Sequence, residues 1–167
     1  IPNANATPQV SVSPTSLTAS GSIQVTGSGF TPNGGIQIFL DSYNIGSLYA
    51  KSDGSFSECT TPYSCPQGTF PPTSLDPYGL AVGQHYVRGL DNSGGGYSNY
   101  AYFTITPTMY SVTITADSSR GYMTIDGTTY GGIQTIQLAA GSHNIAASFI
   151  VSGYQFSSWS SSGGVSV

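Results

Sequence analysis

The amino-acid sequence predicts an all-β chain folded as two antiparallel β-sandwich domains. No segment long enough for a helix carries the apolar 3.6-residue period. Short runs alternate apolar and polar residues instead, and Gly, Pro, Asn and Asp separate them. A second series of such runs begins after Pro107.

Val10 and Val12 mark a first strand, stopped at Pro14. Ile23 with Val25, then Ile36, Ile38 and Leu40, mark the second and third. Leu48 and Ala50 follow, and the Ser-Asp-Gly turn at 52–54 leads to Phe56. Beyond a proline-rich stretch from Thr60 to Pro77, Tyr86 and Arg88 start another run. Tyr100, Tyr102, Phe103 and Ile105 complete the series before Pro107. About seven strands in roughly a hundred residues is the count of an immunoglobulin-like sandwich, assigned here to residues 10–107. Residues 1–9 precede it as an extended segment. Residues 108–167 read as a smaller β-domain, from YSVTITAD, MTIDGTTY, IQTIQLAAG, HNIAASFIV, YQFSSWS and GVSV.

Only 6% of the residues are charged, with a net charge of -4, while 38% are hydrophobic and 12% aromatic. A soluble domain usually carries about 25% charged residues, so neutral polar groups must cover this surface while the apolar content still fills a core. The bases Lys51, Arg88 and Arg120 are scattered, which excludes a phosphate-binding face and hence nucleic acid as a partner. With few titrating groups, stability is expected to stay nearly flat from neutral pH to about pH 3. No stretch reaches the roughly 20 apolar residues of a membrane span.

Cys59 and Cys65 enclose a turn-forming Thr-Pro-Tyr-Ser and read as a disulfide, which places the chain in an oxidising, extracellular compartment. Two free thiols or half a metal site are the alternatives left open. The start, IPNANATPQV, reads as the mature end left by signal-peptide removal. Asn5-Ala6-Thr7 is a sequon that predicts an N-linked glycan on Asn5.

No catalytic, cofactor-binding or metal-binding residue is predicted. His85 in GQHYV and His143 in GSHNI occupy the same place in two matching strand starts, which argues for a structural use. Asp41, Asp53, Glu58, Asp76, Asp91, Asp117 and Asp126 fall mostly in turn sequences and read as turn formers. Oxygen ligands cluster at Asp91-Asn92-Ser93, but without the acid-rich spacing that holds calcium. Lys51 reads as an exposed hairpin lysine, against the alternative of an isopeptide bond. The tyrosines are assigned mainly to cores and interfaces, with a sugar-binding platform as the competing use. Trp159, beside Phe156, reads as the core plug of the small domain.

The runs VSVSPTSLTASGSIQVTGSGFTPNGGIQIFL, KSDGSFS and GQHYVRGLDNSGGGYSNYAYFTI resemble the immunoglobulin-like repeats of archaeal and bacterial surface proteins over residues 8–107. The Pro and Cys loop departs from that pattern. Residues 108–167 resemble small β-domains of archaeal surface proteins, including those attached to secreted peptidases, through the Gly-Tyr-x-Phe-x-x-Trp element at 153–159 and Gly-Gly-Val-Ser-Val at 163–167. Those relatives carry one further strand. The resemblance therefore implies a small domain open at one edge, with Phe156, Trp159, Val165 and Val167 as the core of an acceptor. It also implies a likeness to the thread filaments of thermoacidophilic archaea, whose subunits are joined by donor strands. Residues 1–9 are the expected donor strand, carrying Ile1, Ala4 and Ala6, with alternation placing Ala4 and Ala6 on the inserted face and Asn3 and Asn5 on the other. The partners so implied are copies of the chain itself and, through adhesion, surface glycans. The alternatives are a monomeric adhesin or carbohydrate-binding module, and accessory domains of a larger secreted surface protein or peptidase.

Overall fold

A computed structural model describes residues 7–59, 65–153 and 158. Apart from one 3₁₀ turn at Asp76–Tyr78, the regular structure among them is all strand. The chain divides into two compact units, Ile1–Pro107 and Thr108–Val167.

The first unit contains β1 (Gln9–Ser13), β2 (Ser16–Thr18), β3 (Ser22–Ser28), β4 (Gly35–Leu40), β5 (Tyr43–Tyr49), β6 (Ser57–Glu58), β7 (Thr69–Phe70), β8 (Thr73–Ser74), β9 (Gly83–Asp91), β10 (Gly96–Tyr97) and β11 (Ala101–Thr106). One sheet runs β1-β3-β8, and a larger one runs β2-β11-β9-β4-β5, with β10 added to β9. The first run of the chain thus serves both sheets. β1 pairs antiparallel with β3, a cis peptide joins Ser13 to Pro14, and β2 then pairs parallel with β11.

Alternation decides which face is buried. Val10, Val12, Ile23 and Val25 of the smaller sheet join Ile36, Ile38, Leu40, Val87, Phe103 and Ile105 of the larger in one apolar cluster, closed by Phe30, Phe56, Phe70 and Leu75. Pro8 is buried and Gln9 pairs with Ser28, so both belong to this unit rather than to the free segment 1–9 read from the sequence. The Ser52–Gly54 turn needs a glycine: Gly54 has φ 77°, and its Cα lies against the Phe30 carbonyl, where no Cβ would fit. Asn99 secures the first strand, donating from Nδ2 to Val10 O at 3.1 Å and accepting from Val10 N at 2.7 Å.

The second unit contains β12 (Met109–Ala116), β13 (Gly121–Ile125), β14 (Thr128–Tyr130), β15 (Gly132–Ala139) and β16 (Ile145–Phe149). β12 and β15 form a two-stranded antiparallel sheet, and β14-β13-β16 form a three-stranded one. The run MTIDGTTY makes two strands instead of one, because Asp126 (φ 49°) and Gly127 (φ 82°) fold it into a tight hairpin. The runs YQFSSWS and GVSV lie outside the described residues, apart from Ser158.

Candidate functional site

In the second unit the β12–β15 ladder pairs eight residues on each side, from Met109 opposite Ala139 to Ala116 opposite Gly132. Its two faces differ. Ser111, Thr113 and Thr115 stand opposite Gln137, Thr135 and Ile133, and are tied by a Thr113–Thr135 hydroxyl bond of 3.0 Å and a Gln137 Nε2 to Ser111 Oγ bond of 2.6 Å. The opposite face presents Tyr110, Val112, Ile114, Ile136 and Leu138. Of these only Ile114 is buried, and from the other sheet only Ile125 is. Met109, Tyr110, Phe149, Ile150 and Val151 are all exposed. Among the described residues, β12 and β15 each pair on one side only, so each presents a free row of backbone N–H and C=O groups.

The outer face of the larger sheet in the first unit is aromatic. Outward positions of β9 carry Gln84, Tyr86, Arg88 and Leu90. Tyr86 meets Tyr100 edge-on at 4.8 Å, and Tyr100 and Tyr102 stack at 6.2 Å. The Arg88 guanidinium lies 4.1 Å over the Tyr97 ring and donates from Nη1 to the Tyr100 hydroxyl at 3.2 Å. About half the surface of Tyr97 (50%), Tyr100 (47%) and Tyr102 (51%) faces water.

Both histidines sit in a clasp that the sequence only half discloses. His85 Nδ1 lies 2.8 Å from Asp41 Oδ2, and its Nε2 lies 2.8 Å from the Ala81 carbonyl. Asp41 Oδ1 also accepts from Tyr86 N at 3.1 Å, and Asp41 N donates to Tyr86 O at 2.9 Å. The second unit repeats every contact. His143 Nδ1 meets Asp126 Oδ2 at 2.6 Å and Nε2 meets Ala139 O at 2.9 Å, while Asp126 exchanges two bonds of 2.9 Å with the backbone of Asn144. Both aspartates have a left-handed backbone, φ 50° and 49°, and a glycine two residues before each histidine has φ near 140°: Gly83 at 140° and Gly141 at 139°. The signal lay in the parallel runs Leu80-Ala81-Val82-Gly83-Gln84-His85 and Leu138-Ala139-Ala140-Gly141-Ser142-His143, read with Leu40-Asp41 and Ile125-Asp126.

The remaining predicted residues fall as follows. Cys59 and Cys65 are disulfide-bonded, with Cα atoms 5.5 Å apart. Lys51 Nζ donates to Ser57 Oγ at 2.9 Å. Asp91 is buried, and both its carboxylate oxygens accept backbone N–H groups, from Thr31 at 2.7 Å and Ser93 at 2.9 Å. Among the described residues no group of three or more His, Cys, Asp or Glu could hold a metal. Hydrogen bonds from Ser55 and from Ser119 hold Asp53 and Asp117 below the ordinary carboxylate value of 3.8, and the His143 hydrogen bond does the same for Asp126. Ile1, Ala4, Asn5, Ala6, Phe156, Trp159, Val165 and Val167 lie outside the described residues.

No family model, curated protein or solved structure matches the chain.

Proposed function

We propose that the chain is a structural subunit of an extracellular filament, polymerising head to tail as the N-terminal segment of one copy adds a strand to the second unit of the next. The observation that carries this reading is the β12–β15 ladder: two eight-residue strands with an apolar face largely uncovered and free edges among the described residues. A two-stranded sheet is marginal on its own in water. A third strand would pair its edge groups, and its inward side chains would pack beside those of Tyr110, Val112, Ile136 and Leu138, which is how strand addition gives affinity. Because Pro8 and Gln9 belong to the first unit, the donor is residues 1–7, with Ala4 and Ala6 entering the groove and Asn5 facing outward with its glycan. The disulfide supports an oxidising, extracellular setting. The first unit serves as an immunoglobulin-like spacer, a reading supported by its two larger sheets sharing one core and by a first run divided between them.

Negative-stain imaging of the full chain and of a variant lacking residues 1–7 tests the proposal. The full chain should form long fibres, and the truncated one should remain monomeric, with a synthetic peptide of residues 1–7 raising its melting temperature. Identical fibres from the truncated protein would overturn strand donation. A second reading, a carbohydrate-binding surface, is favoured by the tyrosines around Arg88, whose rings offer flat apolar faces beside hydroxyl and guanidinium donors.

A further inference from the structure

The two clasps share a feature that fixes the charge of their histidines. Nδ1 of each ring faces a carboxylate oxygen and Nε2 faces a backbone carbonyl. A carbonyl has no hydrogen to give, and neither has a carboxylate. A neutral imidazole carries one N–H and one bare lone pair. In either tautomer one nitrogen would therefore turn its lone pair on an oxygen lone pair at 2.6–2.9 Å. Only the imidazolium, donating from both nitrogens, satisfies both contacts.

We propose that Asp41–His85–Ala81 and Asp126–His143–Ala139 are a matched pair of proton-operated latches, each closed while its imidazole holds two protons and loosened when it gives one up. What a latch secures follows from its bonds. The same aspartate that grips the ring exchanges two backbone bonds with the residue after the histidine, Tyr86 or Asn144. The first latch thus ties the segment Ala81–Tyr86, which leads into β9, to the end of β4. The second ties Ala139–Asn144, which leads into β16, to the end of β13. Each latch closes the end of an existing ladder, β4–β9 beyond Leu40–Val87 and β13–β16 beyond Ile125–Ile145.

The surroundings leave the aspartates in control. His85 is mostly covered, with Asp41 on the β4–β5 turn, the Phe103 ring of β11 at 5.8 Å, and the Ala81 carbonyl of its own strand's approach. His143 faces Asp126 from the β13–β14 turn and Ala139 from the end of β15. Asp117 and Arg120 pair with each other at 3.3 Å elsewhere in the second unit. For His85, burial is the largest influence and pushes its pKa down, but the Asp41 hydrogen bond, the Ala81 carbonyl and the Asp41 charge outweigh it and hold the value above 6.5. For His143 the Ala139 carbonyl acts first and the Asp126 hydrogen bond and charge add to it, again raising the value above 6.5. A raised folded value means that the stabilisation is complete below the unfolded value of about 6.5 and is lost as pH rises through the folded one. On the acid side, Asp126 is lowered from 3.8, chiefly by the His143 bond, so the second latch fails only as pH falls through that depressed value. The latches are closed in mildly acidic surroundings and open in alkaline ones.

The test is ¹⁵N NMR of the histidine rings in the full chain from pH 5 to 9, by magic-angle spinning where the protein is assembled, beside thermal melts over the same range. Each ring should titrate above the free value of about 6.5, carrying N–H protons on both nitrogens below its own midpoint, and the melting temperature should climb as pH is lowered from 9 to 6. Asp41→Asn and Asp126→Asn should return the ring they face to an ordinary titration, and His85→Gln with His143→Gln should flatten the climb. A ring that titrates at or below about 6.5 in the wild type overturns the proposal, and so does a melting temperature that holds level or falls as pH is lowered from 9 to 6. The wild-type spectra decide the matter even where a variant fails to fold.

Discussion

Replacing Asp91 tests whether the oxygen-rich Asp91-Asn92-Ser93 loop is held from within or waits for a cation. Its carboxylate is 3% exposed, with Oδ2 accepting from Thr31 N at 2.7 Å and Oδ1 from Ser93 N at 2.9 Å. A hydrogen bond to a charged group contributes about 1.5–3 kcal/mol. Asp91→Ala removes both acceptors. The Thr31 amide, part-buried, then loses its partner outright, whereas the Ser93 amide lies on an exposed residue that water can reach. The sum is about 3–4 kcal/mol, against the upper bound of about 6 if both were sealed from water. For a domain of about a hundred residues that is a fall in melting temperature of roughly 12–32 °C. Asp91→Asn keeps one acceptor but turns an NH₂ toward the second donor, so it should cost about half as much. Urea unfolding followed by the near-ultraviolet circular dichroism of the tyrosines reads both variants. Calcium or a chelator should leave the wild-type midpoint unmoved, since both oxygens are engaged. An alanine variant within about 1 kcal/mol of wild type, or a calcium-dependent rise, would refute the reasoning.

Two further perturbations follow from the same geometry. Reducing the Cys59–Cys65 bridge, which spans a sequence separation of 6, should lower stability by about 2 kcal/mol on the chain-entropy estimate; intact mass should show two alkylations after reduction and none before, and alkylation without reduction would sink the assignment. If the aromatic face binds sugar, Tyr100→Ser with Tyr102→Ser should abolish signals on a glycan array while leaving the melting temperature within about 3 °C, and an array blank for the wild type would dismiss the surface.

The all-β character and much of the strand order were legible because one buried face leaves a period-two trace. Ile36, Ile38 and Leu40 alternate in the sequence and are all buried in β4. Where the inward position is not apolar, the trace breaks. β9 reads from Tyr86 onward, yet it runs Gly83–Asp91 and turns Val87, Gly89 and Asp91 inward. Gly89 is there because the Phe30 ring lies over it, and a Cβ would come within 2.8 Å of that ring. β2 left no trace either, since its partner Thr104–Thr106 is remote in sequence and the pairing is parallel. The clasps were half visible. The repeated histidine stood out, but its aspartate lies 44 residues away in one unit and 17 in the other, and each aspartate's turn sequence already gave it a sufficient use.

On the strand-exchange reading, the arrangement of the second unit explains how an open groove can persist without collapsing. An acceptor that must reorganise on binding spends part of the interaction on ordering itself, whereas a fixed one does not. Here each sheet is fixed by polar bonds away from the uncovered face. Thr113–Thr135 and Ser111–Gln137 hold the β12–β15 ladder from its polar side, and Asp126 with His143 and Asn144 holds the end of the β13–β16 pair. Neither set uses the apolar groups a donor would cover. An added strand therefore gains edge hydrogen bonds and buried area over a frame already in register. Because that frame depends in part on the His143 latch, filament stability should share its pH limits: firm in mild acid, weakened where the imidazolium loses its proton.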